Sequence, residues 1–487
     1  MKQLRIVSLT VAATFVTSLF LIISAAQTAP ELETVLSKAT PLPDQPPVSS
    51  IQTDALQPVV RQAVKHDLSP PLRSIPPKAP MQRERVEIQR LPLPRQEADE
   101  MFQRRGAVLD PVLQDREGES PMPSPIQSFD GLGNGDNQVV VGFQLIPPDT
   151  QGDVGRTHYV QWVNLVFAIW DKSGNLMYGP AAGNTLWTGF GGPCERSNDG
   201  DPIALFDPLA DRWLMAQFAL PYFPDGPFYQ CIAISTSSDP TGTWYRYAFE
   251  WENGNGLDVM NDYPKFGVWP DGYYMTTNQF SAGTSEWAGT GVAAFERAKM
   301  LKGQLPQVVY YDLGPSDWGG MLPSDFDGLA PPPAGAPNYF VEANADEWAA
   351  GLNDELHIYE FSVDWTNPPK STFTRVARLP MAPFDGDMCG TSQDCIPQPG
   401  TTQKLDALAD RLMHRLQYRN FGSYETLVSN LTVDADGADH AGIRWFELRK
   451  TRNAWSIFQQ GTYAPDGKHR WMGSMAMDHA GNIALGY

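Results

Sequence analysis

One feature constrains this chain more than any other: a loosely repeated pattern of two apolar strands joined by a tight polar turn. Ile203-Ala204-Leu205-Phe206 leads through Pro208 and Asp211-Arg212 into Trp213-Leu214-Met215-Ala216-Gln217-Phe218. Phe266-Gly267-Val268-Trp269 leads through Pro270-Asp271-Gly272 into Tyr273-Tyr274-Met275-Thr276-Thr277, and Ser474 to Leu485 repeats the theme. Residues 154–164 and 405–420 are looser copies, and further strands follow, as in Cys231-Ile232-Ala233-Ile234-Ser235 and Trp244-Tyr245-Arg246-Tyr247. Such turn chemistry between alternating strands is what antiparallel hairpins require. An acidic residue precedes the first strand of most copies: Asp153 (or Asp149), Asp201, Asp262, Asp327 (or Asp325) and Asp406. The repeat exceeds the ~40–50 residues of a simple propeller blade, so extra loops are expected. The reading is an all-β chain forming a β-propeller of about five to seven four-stranded blades. A β-sandwich would not produce the repeat. The last copy stops at Tyr487, inside its second strand, so the ring is expected to be incomplete at the C-terminus unless residues 138–144 supply a closing strand.

Composition divides the chain. All 14 Trp and all 17 Tyr lie after residue 128, whereas residues 27–128 hold one aromatic, Phe102, and 17 prolines. That stretch is read as a disordered, proline-rich linker, because it offers too little apolar surface to offset chain entropy. Residues 129–487 form the propeller domain and carry the whole net charge of −20. Acidity of this kind argues against nucleic acid as a partner. Lys2 and Arg5 precede an apolar run from Ile6 to Ile23 and the small residues Ser24-Ala25-Ala26. This is a signal peptide over residues 1–26, or an uncleaved anchor, and it places the body outside the cytoplasm. No other segment is apolar enough to span a membrane.

Four cysteines in an exported chain point to disulfides. Cys389 and Cys395 can close a short loop, which leaves Cys194 and Cys231 to pair. Metal-protease, nucleophile-elbow and phosphate-loop motifs are all missing. In a propeller the strand-start acids converge on the central channel, and crowded carboxylates push one another's pKa upward. Asp201, Asp262 and Asp327 are therefore the catalytic candidates for an acid–base pair of the glycosidase type. Asp153, Asp406 and Arg419 are the binding candidates, with Lys265 and His414 as ambiguous neighbours. Calcium is the one cofactor considered, since oxygen donors cluster at Asn198-Asp199-Gly200-Asp201, Ser324-Asp325-Phe326-Asp327-Gly328 and Asp434-Ala435-Asp436-Gly437; none completes an EF-hand loop.

The phrases Pro147-Pro148-Asp149-Thr150-Gln151-Gly152-Asp153-Val154-Gly155, Asp262-Tyr263-Pro264-Lys265-Phe266-Gly267-Val268-Trp269-Pro270-Asp271-Gly272, Cys395-Ile396-Pro397-Gln398-Pro399-Gly400-Thr401, Tyr418-Arg419-Asn420-Phe421-Gly422 and Trp471-Met472-Gly473-Ser474 resemble an uncharacterised family of large exported bacterial proteins with a β-propeller-like domain. The resemblance covers about residues 142–487 and implies export, but no activity. More distantly, Asp201-Pro202 before a short strand is similar to the blade starts of five-bladed glycosidases. The functional expectation is a module binding glycan or protein at the cell exterior; the alternative is a glycoside hydrolase or related polysaccharide-acting enzyme.

Overall fold

The computed structural model describes residues 56–77, 110–117, 123–348 and 351–487. The signal peptide over 1–26 and much of the linker lie outside the described residues. Five antiparallel meanders of four strands follow one another from residue 151. Blade I begins with the inner strand Gln151–Val154, blade II with Ile203–Asp207, blade III with Val259–Val268, blade IV with Leu322–Phe326 and blade V with Leu412–Asn420. Inner strands of successive blades touch, and those of blades IV and V pair in parallel, Ser324 opposite Leu416 and Phe326 opposite Tyr418. This is a β-propeller. Close approach near the axis is visible at Gly267, where an added Cβ would lie 2.3 Å from the Ser324 carbonyl oxygen.

The blades pack face to face, so each inner blade is buried on both sides and strand alternation sorts residues between two apolar neighbours. In blade II, Ile203, Leu205, Leu214 and Ile234 pack with Val259, Phe266, Tyr273 and Phe295 of blade III. The alternate residues Ala204, Trp213, Met215 and Ala233 pack with Trp162, Phe167 and Ile169 of blade I. A third cluster joins blade III to blades IV and V through Trp269, Tyr274, Phe340, Leu356, Leu416 and Phe446. Trp162, Trp187, Trp213, Trp244 and Trp269 are fully buried. The aromatic richness of the domain is packing material.

The linker reading fails for residues 56–77 and 110–117. Val59–Gln62 adds a fifth, antiparallel strand to blade III and Lys65–Leu68 adds one to blade II. Leu72 and Ile75 then enter the apolar cluster between blades I and II, and Tyr178 Oη of blade I donates to the Ile75 carbonyl. Leu113–Gln114 pairs with blade V. Edge pairing uses backbone N–H and C=O groups, so it needs none of the aromatic side chains whose scarcity suggested disorder. Residues 134–140 are helical, so no closing strand forms there. The hairpin Ser474–Met477 with Ile483–Gly486 packs on the first two strands of blade V through Met475, Met477 and Val428. Both disulfides form as expected, Cys194–Cys231 and Cys389–Cys395. Among the described residues no helix is long and apolar enough to cross a membrane.

Candidate functional site at the channel

The strand-start end of the channel gathers Asp149, Asp201 and Asp262 from three blades around the buried amine of Lys265. In a regular strand Asp262 and Lys265, three residues apart, would face opposite ways. A β-bulge between them in the inner strand of blade III turns both toward the same group. Asp201 Oδ2 accepts the Tyr263 N–H at 2.8 Å, and Asp149 Oδ2 accepts from Asn164 Nδ2 at 2.8 Å. The Tyr263 ring lies 3.6 Å from Lys265 Nζ and 4.8 Å from the Arg411 guanidinium. Cations therefore already occupy this ring, which removes it as a stacking platform. The three aspartates are half-buried, so water still reaches them.

Burial, then the charge of Asp201, pushes the Asp262 carboxyl up to about 7. Burial and Asp201 also raise Asp149 well above the usual carboxylate range, and burial lowers the Lys265 ammonium against the pull of its three acidic neighbours.

A second group lies further along the inner strands. Arg415 bridges Asp153 Oδ2 of blade I at 3.1 Å and Asp325 Oδ2 of blade IV at 3.0 Å. Asp327 accepts from Gln417 Nε2. Several acids here also staple blades together: Asp153 Oδ2 takes the Phe206 N–H of blade II at 2.8 Å, and Asp325 Oδ1 takes the Val268 N–H of blade III at 2.8 Å. The Asp201–Tyr263 bond joins blades II and III in the same way. His414 lies between the two groups, its Nε2 3.4 Å from the Phe266 carbonyl oxygen, and burial with nearby Arg415 and Lys265 pulls its pKa well below the ordinary value.

Of the residues expected from sequence, Asp153, Asp201, Asp262 and Asp327 come from the inner strands or their ends, in two groups instead of one ring. Asp406 is displaced. It sits in the two-residue strand Leu405–Asp406, pairs with Asp394–Ile396 and accepts the Leu408 N–H at 2.7 Å. The inner strand of blade V begins six residues later, at Leu412; it contributes His414 and Arg415, and Arg411 stands immediately before it. Arg419 lies at the opposite end of the channel, beside Gly328. Sequence reasoning missed Arg411 and Arg415 and left Lys265 open. The signal lay in bulges at Asp262/Lys265 and Met413/Gln417, which break the alternation used to assign faces. Among the described residues, none of the three sequence clusters considered for calcium forms a close carboxylate triad; Asp434 accepts the N–H groups of Asp436, Gly437, Asp439 and His440. The close acidic triads among the described residues are Glu250–Glu252–Asp258 and Asp346–Glu347–Asp354.

The raised carboxyls predict a pH effect. Asp262 and Asp325, both pushed up to about 7, hold a proton in the folded chain where the unfolded chain, with a pKa of about 3.9, has lost it. The folded state then binds more protons, so their contribution to stability is present below about pH 4 and is lost as the pH rises through about 7. Asp262→Asn is expected to flatten part of that fall. Urea midpoints of variant and parent at about pH 5 and about pH 8 would show it, and identical pH slopes would refute it.

No family model and no curated protein matches the sequence. Among solved structures, the chain is similar to an exo-1,5-α-L-arabinanase from a bovine ruminal metagenomic library, at 8% identity and a TM-score of 0.28, over 64% of this chain and 96% of that one. It is also similar to the Cellvibrio cellulosa α-L-arabinanase in complex with arabinohexaose, at 10% identity and a TM-score of 0.29, over 64% and 94% of the two chains. An α-L-arabinofuranosidase from Lactobacillus brevis gives 9% identity and a TM-score of 0.32, over 66% and 95%. At these identities and scores the likeness assigns no activity.

Proposed function

We propose that this chain is an exported β-propeller module that binds glycan at the mouth of its channel. The observation that carries the reading is the convergence of Asp149, Asp201 and Asp262, from three blades, on Lys265 in a position still open to water. Backbone and side-chain donors hold two of these acceptors in place before any ligand arrives. Pre-organised acceptors suit sugar hydroxyls, because little ordering is left to be done on binding. Tyr222, 60% exposed in the loop after Arg212–Ala219, offers an aromatic face on the same side of the blades. Two disulfides suit a chain working in an oxidising compartment.

Retention on a panel of insoluble polysaccharides tests this directly. The parent is expected to bind at least one, and Asp149→Asn with Asp201→Asn should weaken binding roughly tenfold or more, the value of about two hydrogen bonds. A folded parent that binds none, or a variant that binds equally well, would overturn the reading. A second reading, glycoside hydrolysis, is favoured by Asp262, which is pushed up to about 7 beside the anchored Asp201 and so suits a proton donor next to a carboxylate. Reducing-sugar release that Asp262→Asn abolishes would establish hydrolysis; none from bound polysaccharide would leave binding.

A further inference from the structure

The loop between blades IV and V builds a cleft of about 530 Å³ beside the Cys389–Cys395 disulfide, within the size range of small-ligand sites. We infer that this cleft is a second carbohydrate site, taking a neutral sugar residue of a glycan. The inference rests on the glycan reading of the channel mouth and gives it a second point of contact.

The walls supply what a polyhydroxylated ligand needs. Asp394 and Asp439 bring acceptors, while Lys404 and His469 bring donors. Asp439 is fixed by the Cys389 N–H, which donates to its Oδ1 at 2.8 Å. His469 Nδ1 accepts the Ala441 N–H at 3.3 Å, which leaves the ring proton of the neutral imidazole on Nε2. Burial and the neighbouring His440 ring, 5.7 Å away edge-to-face, hold the His469 pKa below its ordinary value. Two carboxylates against one ammonium disfavour a uronate.

A strand pairing and a small apolar cluster support the cleft, and a chain of contacts ties it to the channel. Asp394–Ile396 pairs with Leu405–Asp406, and Met388, Cys395, Ile396, Ala407 and Ala441 form a small core beneath. Gln393, next to Asp394, accepts the Ala409 N–H at 2.8 Å and donates to Asp410 Oδ2 at 3.1 Å. Asp410 holds Arg411 at 2.6 Å, and Arg411 lies over the Tyr263 ring at the mouth. The cleft wall is therefore joined to the mouth through Gln393, Asp410 and the Arg411 guanidinium over the Tyr263 ring, whose backbone N–H donates to Asp201.

Isothermal titration of the full chain with cellohexaose, xylohexaose, arabinohexaose and hexagalacturonate tests the inference. The cleft variant is Asp394→Ala/Lys404→Ala, whose two side chains are exposed and leave the core untouched; the channel variant is Asp262→Asn. The expected result is binding of at least one neutral hexamer, weakened roughly tenfold by each variant separately, with hexagalacturonate bound less well. Loss in the channel variant with parental affinity in the cleft variant would overturn the cleft and leave the channel standing. Loss in the cleft variant alone would overturn the channel reading and leave the cleft. A folded parent that binds no hexamer would overturn both, and equal binding of hexagalacturonate would overturn the neutral-sugar assignment.

Discussion

Leu72→Ala is expected to lower the unfolding free energy by about 2–5 kcal/mol, although Leu72 belongs to the stretch of the chain poorest in apolar residues. Leu72 is fully buried with Trp187, Phe190 and Cys194 in the cluster between blades I and II, so truncation leaves a cavity among rigid rings. Removing residues 56–77 altogether should do more. It strips the outer partners from Trp244–Trp251 and Gln307–Asp312, two strands that would then expose unpaired backbone edges. It also removes Asp67, which pairs through both oxygens with the buried Arg246 at 2.6 and 2.8 Å. Urea denaturation followed by tryptophan fluorescence would measure the point variant, and gel filtration would show the self-association expected of the deletion. A Leu72→Ala protein within about 0.5 kcal/mol of the parent would mean that this segment does not hold the blades.

Asp207→Ala is expected to cost about 3–5 kcal/mol, because it leaves a buried guanidinium without its counter-charge. Asp207 is fully buried in blade II, at the end of the inner strand. Its Oδ1 takes the N–H groups of Leu209 and Ala210, both at 3.0 Å, and caps the turn into the next strand. Across the blade boundary it accepts from Arg297 Nε at 2.7 Å and Nη2 at 3.0 Å, and from Tyr273 Oη at 2.9 Å. One carboxylate thus fixes a hairpin and docks blade III on blade II. Combining Asp207→Ala with Arg297→Met should cost less than the two single changes added, since no charge is then left buried. Urea denaturation of the four proteins gives the coupling, and strict additivity would show that the pair does not interact.

Both expectations concern joints between blades, and the channel acids belong to the same pattern. Asp153, Asp201 and Asp325 each accept a backbone N–H from a neighbouring blade. An acid on or beside an inner strand can therefore serve the fold first. The positions best placed for a ligand are those where several blades crowd charge into one half-open space, as at Asp149, Asp201, Asp262 and Lys265.

The sequence by itself determined the hairpins, the propeller class, the short Cys389–Cys395 loop as a disulfide candidate and the presence of acids on or near the inner strands. The hairpins and the short disulfide loop are local, since a turn needs Asp, Gly or Asn within a few residues and strand period is read over a single hairpin; the propeller class follows from their repetition. The tertiary structure decided the rest. Bulges in the inner strands of blades III and V choose which side chains meet, and a bulge is set by the fit between neighbouring strands. Arg411, His414 and Arg415 stand where Asp406 was expected, because Asp406 is held in a separate short strand pairing with Asp394–Ile396 before the inner strand begins. Most of the large aromatics pack between blades, where strand alternation sorts them toward one apolar neighbour or the other. The strands at Val59–Gln62 and Lys65–Leu68 were invisible for a simpler reason: an edge strand is recruited through its backbone, and the backbone is the same whatever the sequence.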